Sequence, residues 1–394
     1  MIAGHRTTTI VNLLLIVFGA VGGLRAQGGG RDIHVGKDVP GIAHAIKVAQ
    51  PGDTIHLQSQ VYHDYAGFYG KQGEPGRPIT LDGHGAVLEG SDRIDPKDWE
   101  EVSPGLFANR HLLPRMDEAI LARWFFLFDG RMNRMGRTSK GRKAPLKAVE
   151  ELQPGEWTFV KDEADSDRSS SEFTGTFYVK PADGKTLADA AIRAPVRSAG
   201  VQMSGLNAHL IIRNITATHP YNDGFNIHGD CRDVRFENIQ AIECGDDGIS
   251  AHETAEYHVE GLISRGNSTG ICDTVAARTS YHNVYIADCQ AYDLFFLDNG
   301  RYRISNAVVD SSAQNPFVVT GRQDQHCELK LDNVLFRRIG EPRPAVITST
   351  ATIRARRFTM ENISFQVAGE LIQEEPPQPA DLTSLLPLIP DDRR

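Results

Sequence analysis

The feature that most limits what this chain can fold into is an internal repeat about 25 residues long. Aligned on a polar residue followed by a small or aliphatic one, the series runs Asn214-Ile215, Asn238-Ile239, Gly261-Leu262, Asp288-Cys289, Asn306-Ala307, Asn333-Val334 and Asn362-Ile363, in steps of 24, 23, 27, 18, 27 and 29. Each unit opens on alternating apolar residues, such as Val234 and Phe236 or Leu329 and Leu331, the period of a strand with one buried face. Turn-forming Gly, Asn and Asp follow, with no helical period between them. One such unit cannot bury its apolar face alone. Stacked at a spacing of about 4.8 Å, every strand pairs with its neighbours and the apolar faces merge into one core. The repeat therefore predicts an all-β solenoid, a parallel β-helix. Asn at equivalent turns tolerates left-handed backbone and can hydrogen-bond from coil to coil. Unequal steps predict loops of varied length along one edge, where solenoids usually carry their binding face.

Outside the repeat the chain divides by pattern. Residues 31–94 read as an N-terminal cap and first coils. Ile42, Ala45, Ile46 and Ala49 have helical spacing, and "PGDTIHL" (Pro51 to Leu57), "RPITLDG" (Arg77 to Gly83) and "AVLEGSD" (Ala86 to Asp92) read as successive coils. A short helix would cover the open end of the stack. Over 95–199 the period is lost, and "RWFFLFDG" (Arg123 to Gly130), "PGEWTFV" (Pro154 to Val160) and "GTFYVKPADG" (Gly175 to Gly184) read as an inserted antiparallel β subdomain. Residues 200–370 are the main coils. The last segment, 371–394, carries five prolines and predicts an extended or disordered tail, with Leu382, Leu385 and Leu386 covering the last coil as the alternative. The helix, the PGD turn and the PITLDG strand together resemble the start of right-handed β-helix proteins of the pectate lyase-like superfamily, which implies a right-handed coil.

Residues 1–26 read as a secretory signal. An apolar run from Ile10 to Leu24 follows a short polar start, and Ala26 offers a cleavage edge. The run is short for a membrane span, so the expectation is a secreted, periplasmic or extracellular protein with no stable membrane insertion once the signal is removed. Five cysteines, without paired spacing, predict buried free thiols rather than a disulfide framework. Lys+Arg 42 against Asp+Glu 51 gives a net charge of −9, which argues against nucleic acid as a partner.

The chemistry-bearing residues lie on two adjacent coils. "NDGFNIHG" (Asn222 to Gly229) and "DDGISAHE" (Asp246 to Glu253) superpose at a displacement of 24, placing Asp223 over Asp247, Asn222 over Asp246 and His228 over His252. Carboxylates this close drive one proton affinity up, so that one can act as an acid while another stays a base. Glycoside hydrolysis needs that division. The stretch resembles the polygalacturonase family, whose motif is an Asn-Thr-Asp-Gly turn, an Asp-Asp pair on the next coil and Gly-His-Gly on the third. The resemblance implies that Asp246 donates the proton while Asp223 and Asp247 assist an attacking water, with no cofactor. It also implies substrate binding by Asn222, His228 and His252, and by Arg301 and Arg303 as a loose match to the family's Arg-Ile-Lys clamp. Where Gly-His-Gly should fall, this chain has Ser268-Thr269-Gly270, which points to a different substrate or chemistry.

The leading expectation is a carbohydrate-active hydrolase acting on a polysaccharide or oligosaccharide. A polysaccharide lyase would instead use Asp223, Asp246 and Asp247 as Ca²⁺ ligands with an Arg or Lys base, although Arg193-Ala-Pro-Val-Arg197 is one residue short of the pectate lyase motif. A uronate epimerase and a non-catalytic glycan-binding solenoid are the remaining alternatives. Asp-Gly is also a strong turn former, so stacked aspartates can be a plain turn ladder. A basic stretch, Arg131, Arg134, Arg137, Lys140, Arg142, Lys143 and Lys147, contains no acid and would attract an anionic glycan if it bordered a cleft.

Overall fold

In the computed structural model the repeat closes into a right-handed parallel β-helix of about 13 turns, joined by small antiparallel sheets. The structure describes residues 29–394 except 111, 114, 115, 142, 163–171, 323, 374–377 and 394. The expected signal, 1–26, lies outside the described residues. Each full coil contributes a long strand to a 12-stranded sheet and a shorter one to a nine-stranded sheet, with sequential neighbours paired in parallel. Inward residues stack into columns: Ile212, Phe236, Val259, Tyr281, Ile304 and Leu331 occupy one register position and all are buried. The five cysteines are free and buried.

The long strands bend at the Asn column, and here the register corrects the sequence alignment. One position runs Asn214, Asn238, Gly261, Asn283, Asn306, Asn333 and Arg357, all with positive φ between 47° and 84°. Asp288 and Asn362 fall at the next corner, where Asp288 stacks in a second positive-φ column with His219, Glu243 and Gly266. Both corners select residues that accept left-handed backbone, so an alignment on such residues alone cannot tell one from the other. Asn238 Nδ2 donates to Asn214 Oδ1 at 3.0 Å and Asn333 Nδ2 to Asn306 Oδ1 at 2.9 Å. At Gly261 the ladder has no amide, and Asn283 Nδ2 donates instead to Glu260 Oε1 at 2.6 Å.

A helix forms over Ile42–Val48, and its buried Ile42, Ala45 and Ile46 belong to the solenoid core. The strands Ser91–Arg93 and Arg193–Pro195 pair antiparallel. Between them the chain leaves the coil to build two four-stranded antiparallel sheets around their own aromatic core of Trp124, Phe126, Trp157 and Phe177.

Of the C-terminal segment, Glu370–Gln373 adds the last strand of the long sheet, and residues 378–393 are neither extended nor laid over the last coil. A short helix, Leu382–Leu385, folds back so that Ala380, Leu385 and Ile389 cover Tyr285, Ala287, Val308 and Leu335 on the outside of the long sheet. Val284 and Ile286 belong to the solenoid core, so the strand is apolar on both faces. A sheet buried on both sides loses the alternation of a half-exposed one.

Leu385→Ala is expected to cost about 2–5 kcal/mol in denaturant unfolding, as a buried Leu does. Leu386→Ala, at a neighbouring position 56% exposed, should change stability by no more than about 0.5 kcal/mol. Equal effects would contradict the docked tail.

Candidate active site

Phe225 pairs with Ile249, which sets Asp223 one rung from Asp247 and Asn222 one rung from Asp246. The glycine after each aspartate lies against the interior of the coil. A Cβ on Gly224 would meet Ala241 Cβ at 2.9 Å and Cys244 Sγ at 3.0 Å; on Gly248 it would meet Ser264 Oγ at 2.1 Å and Asn267 Nδ2 at 2.8 Å. These are interior contacts, and Phe225 and Ile249, which follow the glycines, also lie in the core, so alternation breaks at each glycine. The outward direction of Asp246 and Asp247 is shown by their contacts with the inserted subdomain. Asp223 Oδ1 accepts from the Asp247 backbone N–H at 3.0 Å, and its Oδ2 accepts from the outward-facing Ser250 hydroxyl at 2.7 Å.

Although they face outward, Asp223, Asp246 and Asp247 are only 2–5% exposed, because the inserted subdomain lies over them. Lys140 Nζ donates to Asp246 Oδ1 at 2.7 Å and to Asp247 Oδ1 at 2.6 Å. Ser139 Oγ donates to Asp246 Oδ1. Arg123 Nε stands 3.1 Å from Asp246 Oδ2 in charge contact, without the alignment of a hydrogen bond. Arg134 anchors the same surface by donating to the carbonyls of Cys244 and Gly245, just before the aspartates. The basic stretch thus enters the site through Lys140, while Arg137 donates to the Ala144 carbonyl and Lys147 pairs with Glu156.

These contacts divide the carboxylates. Burial raises the proton affinity of all three. For Asp246, Lys140 and Arg123 outweigh burial and hold the carboxyl well below the usual range. Asp247 is pushed well above it by burial and by the charge of Asp246, and Asp223 is raised by the same two causes. Lys140, facing both acids, has its own proton affinity raised well above that of an ordinary lysine despite burial. The two cations thus favour the ionised form of Asp246, while burial and the Asp246 charge favour the protonated form of Asp247, the reverse of the roles implied by the family resemblance.

One oxygen from each aspartate lies within 4.8 Å of the other two, a spacing suited to a cation. The Lys140 ammonium already contacts two of these carboxylates. Calcium in the same cluster would stand against that charge, so the residues present do not fit the ion.

The other expected site residues are placed as follows. His228 and His252 stack with centroids 4.1 Å apart, and their polar partners are Glu253 and Thr274 rather than the aspartates. Burial and the neighbouring His228 lower His252 to about 4. Asn222 offers its backbone carbonyl to the Asp246 N–H at 2.9 Å. Arg301 and Arg303 are not brought to the cluster: they lie on the strand Arg301–Ser311 of the long sheet, whereas Asp247 belongs to the nine-stranded one. Asp273, a spare carboxylate in the sequence, is a core residue held by Tyr281, Tyr257 and Thr279 and raised to about 7 by burial. Sequence reasoning missed Arg123, Ser139 and Thr269. Thr269 pairs with Asp247 on the next rung, and its buried hydroxyl has no hydrogen-bond partner.

No family model matches the chain, and no curated protein matches it. Among solved structures, a glycoside hydrolase aligns at 8% identity and TM-score 0.49, covering 87% of this chain and 92% of its own. A complex of XylC with xylose aligns at 14% and 0.46, covering 87% and 70%. An alginate lyase from Paenibacillus aligns at 12% and 0.45, covering 87% and 98%. These overlaps assign no role to any residue.

Removing one partner from a buried ion cluster strands the other charges, so Lys140→Met should cost about 3–5 kcal/mol near neutral pH. A depressed carboxylate contributes stability above its unfolded pKa and loses it as pH falls. The gap between wild type and variant in denaturant unfolding should therefore narrow below about pH 4. A pH-independent gap would contradict the ion cluster.

Proposed function

We propose that this chain is an exported carbohydrate-active enzyme that hydrolyses glycosidic bonds of a polysaccharide, with Asp247 as general acid and Asp246 as the carboxylate that activates water. The observation that carries this reading is the unequal surroundings of two adjacent, buried aspartates: Lys140, Arg123 and Ser139 converge on Asp246, whereas Lys140 is the one cation in contact with Asp247 among the described residues. Pairs of titratable groups driven apart by their surroundings mark acid and base assignments. Asp247 holds a proton to give to the leaving oxygen, and Asp246 stays ionised to take one from water. Asp223, hydrogen-bonded to the Asp247 backbone, orients that acid, and the unpartnered Thr269 hydroxyl is available to a water or a sugar hydroxyl.

Two features weigh against a lyase. Lys140 keeps its proton too tightly to serve as a base, and calcium does not fit beside it. A second reading has its own support. Burial of the acids under Lys140, Arg123 and Ser139 also suits a non-catalytic solenoid in which the cluster locks the inserted subdomain to the coils.

The test incubates the protein with neutral, uronic and sulfated polysaccharides, reading reducing ends and ultraviolet absorbance with and without chelator. Reducing ends without absorbance are expected. Asp247→Asn should then lower kcat by about 10²–10⁴-fold. Activity unchanged in Asp223→Asn, Asp246→Asn and Asp247→Asn would sink the assignment. No product from any glycan, with large losses of stability in all three, would favour the lock.

A raised acid must stay protonated to work, so activity should fall on the alkaline side as Asp247 ionises. Lys140 lowers the Asp247 proton affinity, so Lys140→Met should move the alkaline limb of the kcat profile to higher pH. A shift to lower pH would contradict the assignment of the acid.

A further inference from the structure

The arginines that did not join the acid cluster form a separate surface. Arg278 pairs with Arg301, and Arg303 with Lys330 and then Arg354, on successive rungs of the long sheet. Like charges on neighbouring rungs repel one another, and although the Arg278–Arg301 column continues to Glu256 on one side and Glu328 on the other, neither acid comes within 4.0 Å of these two guanidinium groups. Elsewhere on this sheet such charges find acids: Arg337 holds Asp310, Arg356 and Arg357 hold Asp332, and Arg265 holds Asp288. Lys330 and Arg354 share Glu328 at 3.6 and 3.4 Å. Among the described residues Arg278, Arg301 and Arg303 have no carboxylate within 4.0 Å and no side-chain hydrogen bond, and all three are exposed. They line two grooves of about 470 and 350 Å³ that adjoin at the strand Arg301–Ser311, which gives Arg301 to one and Arg303 to the other.

We propose that this face binds an extended polysaccharide bearing carboxylate or sulfate groups, laid across the strands along the solenoid axis and separate from the aspartate site. Guanidinium groups present planar paired donors that match carboxylate and sulfate oxygens, with Arg278 and Arg301 one rung apart and Arg303 two residues along the strand from Arg301. His258 and Ser280, on the rungs between Arg235 and Arg303, hydrogen-bond each other at 2.9 Å and line the same groove as Arg278 and Arg301. Tyr257, the one Phe, Tyr or Trp residue lining the two grooves, is buried, so neither groove offers an exposed ring of these types on which bases could stack, which disfavours nucleic acid.

The test is affinity electrophoresis of the full chain through gels holding polygalacturonate, heparin or neutral dextran, with single-stranded DNA as competitor. Retardation by a polyanion but not by dextran, weakened by salt, is expected. The triple variant Arg278→Gln, Arg301→Gln, Arg303→Gln should bind on the order of ten- to a hundredfold more weakly, with an unchanged melting temperature. Asp247→Asn should bind like wild type, which separates this site from the acid cluster whether or not the chain is an enzyme. No retardation by either polyanion, equal binding by the triple variant, retention by dextran, or tighter binding to DNA would each overturn the proposal.

Discussion

Rung stacking at one fixed spacing governs both the stability and the chemistry of this molecule. In a solenoid a residue type is placed not once but as a column, and a column multiplies whatever its residue does. For Ile212, Phe236 and Val259 the multiplication is favourable, because apolar side chains meet copies of themselves inside a continuous core. For Asn at the bend it is favourable too, since an amide both donates and accepts along the stack. For charged groups the sign reverses. A charged residue needs compensation by an opposite charge beside it, from a neighbouring rung as Asp310 gives Arg337 or from outside the coil, and the two charged columns considered above are the two places where function is sought.

The inserted subdomain supplies that compensation for the aspartates. Its polar contacts with the coil are Arg134 on backbone carbonyls and Lys140 and Arg123 on carboxylates, beside an aromatic seam of Trp124 on Tyr221 and Phe125 on His219. The aromatic seam alone would join the two parts while leaving the acids alike. The cations instead make the acids different, because Lys140 touches both Asp246 and Asp247 whereas Arg123 reaches only Asp246. The asymmetry of one guanidinium, set against burial shared by all three carboxyls, decides which holds the proton. Docking of the subdomain and division of the acids are one interaction.

Much of the coil was legible in the sequence because its signals are local. Alternation over Val234 and Phe236 marks a strand, and the 24-residue displacement of Asp223 and Asp247 survives in the observed register. Asp288 and Asn362 were misassigned because two corners of each coil share the same backbone requirement. Lys140 was visible only as part of a basic run, since its partners lie 106 and 107 residues away and nothing local selects it from its neighbours. Arg301 and Arg303 were drawn to the site by a short string, but position within a coil, not string similarity, decides which sheet a residue joins. The tail was obscured by its prolines, while the clue lay elsewhere. Val284 to Ala287 is apolar at four consecutive positions, which declares that something must cover the outer face.

The direction in which Asp246 and Asp247 face is shown by their partners rather than by strand alternation, which breaks where Gly248 and Ile249 both turn inward. Lys140 holds both carboxylates outside the coil, and Ser139 and Arg123 join it at Asp246. Gly248 fills the inward position beside them, because even a methyl group there would collide with Ser264 and Asn267 inside the coil. On the rung two beyond, the equivalent position holds Asp293, whose side chain lies buried with Ser311 donating to it and its proton affinity raised to about 7. The same column therefore shows both outcomes. Where the inward residue is glycine, the neighbouring aspartate faces the subdomain and its cations; where an aspartate occupies the inward position, burial makes it a neutral core group rather than a candidate for chemistry.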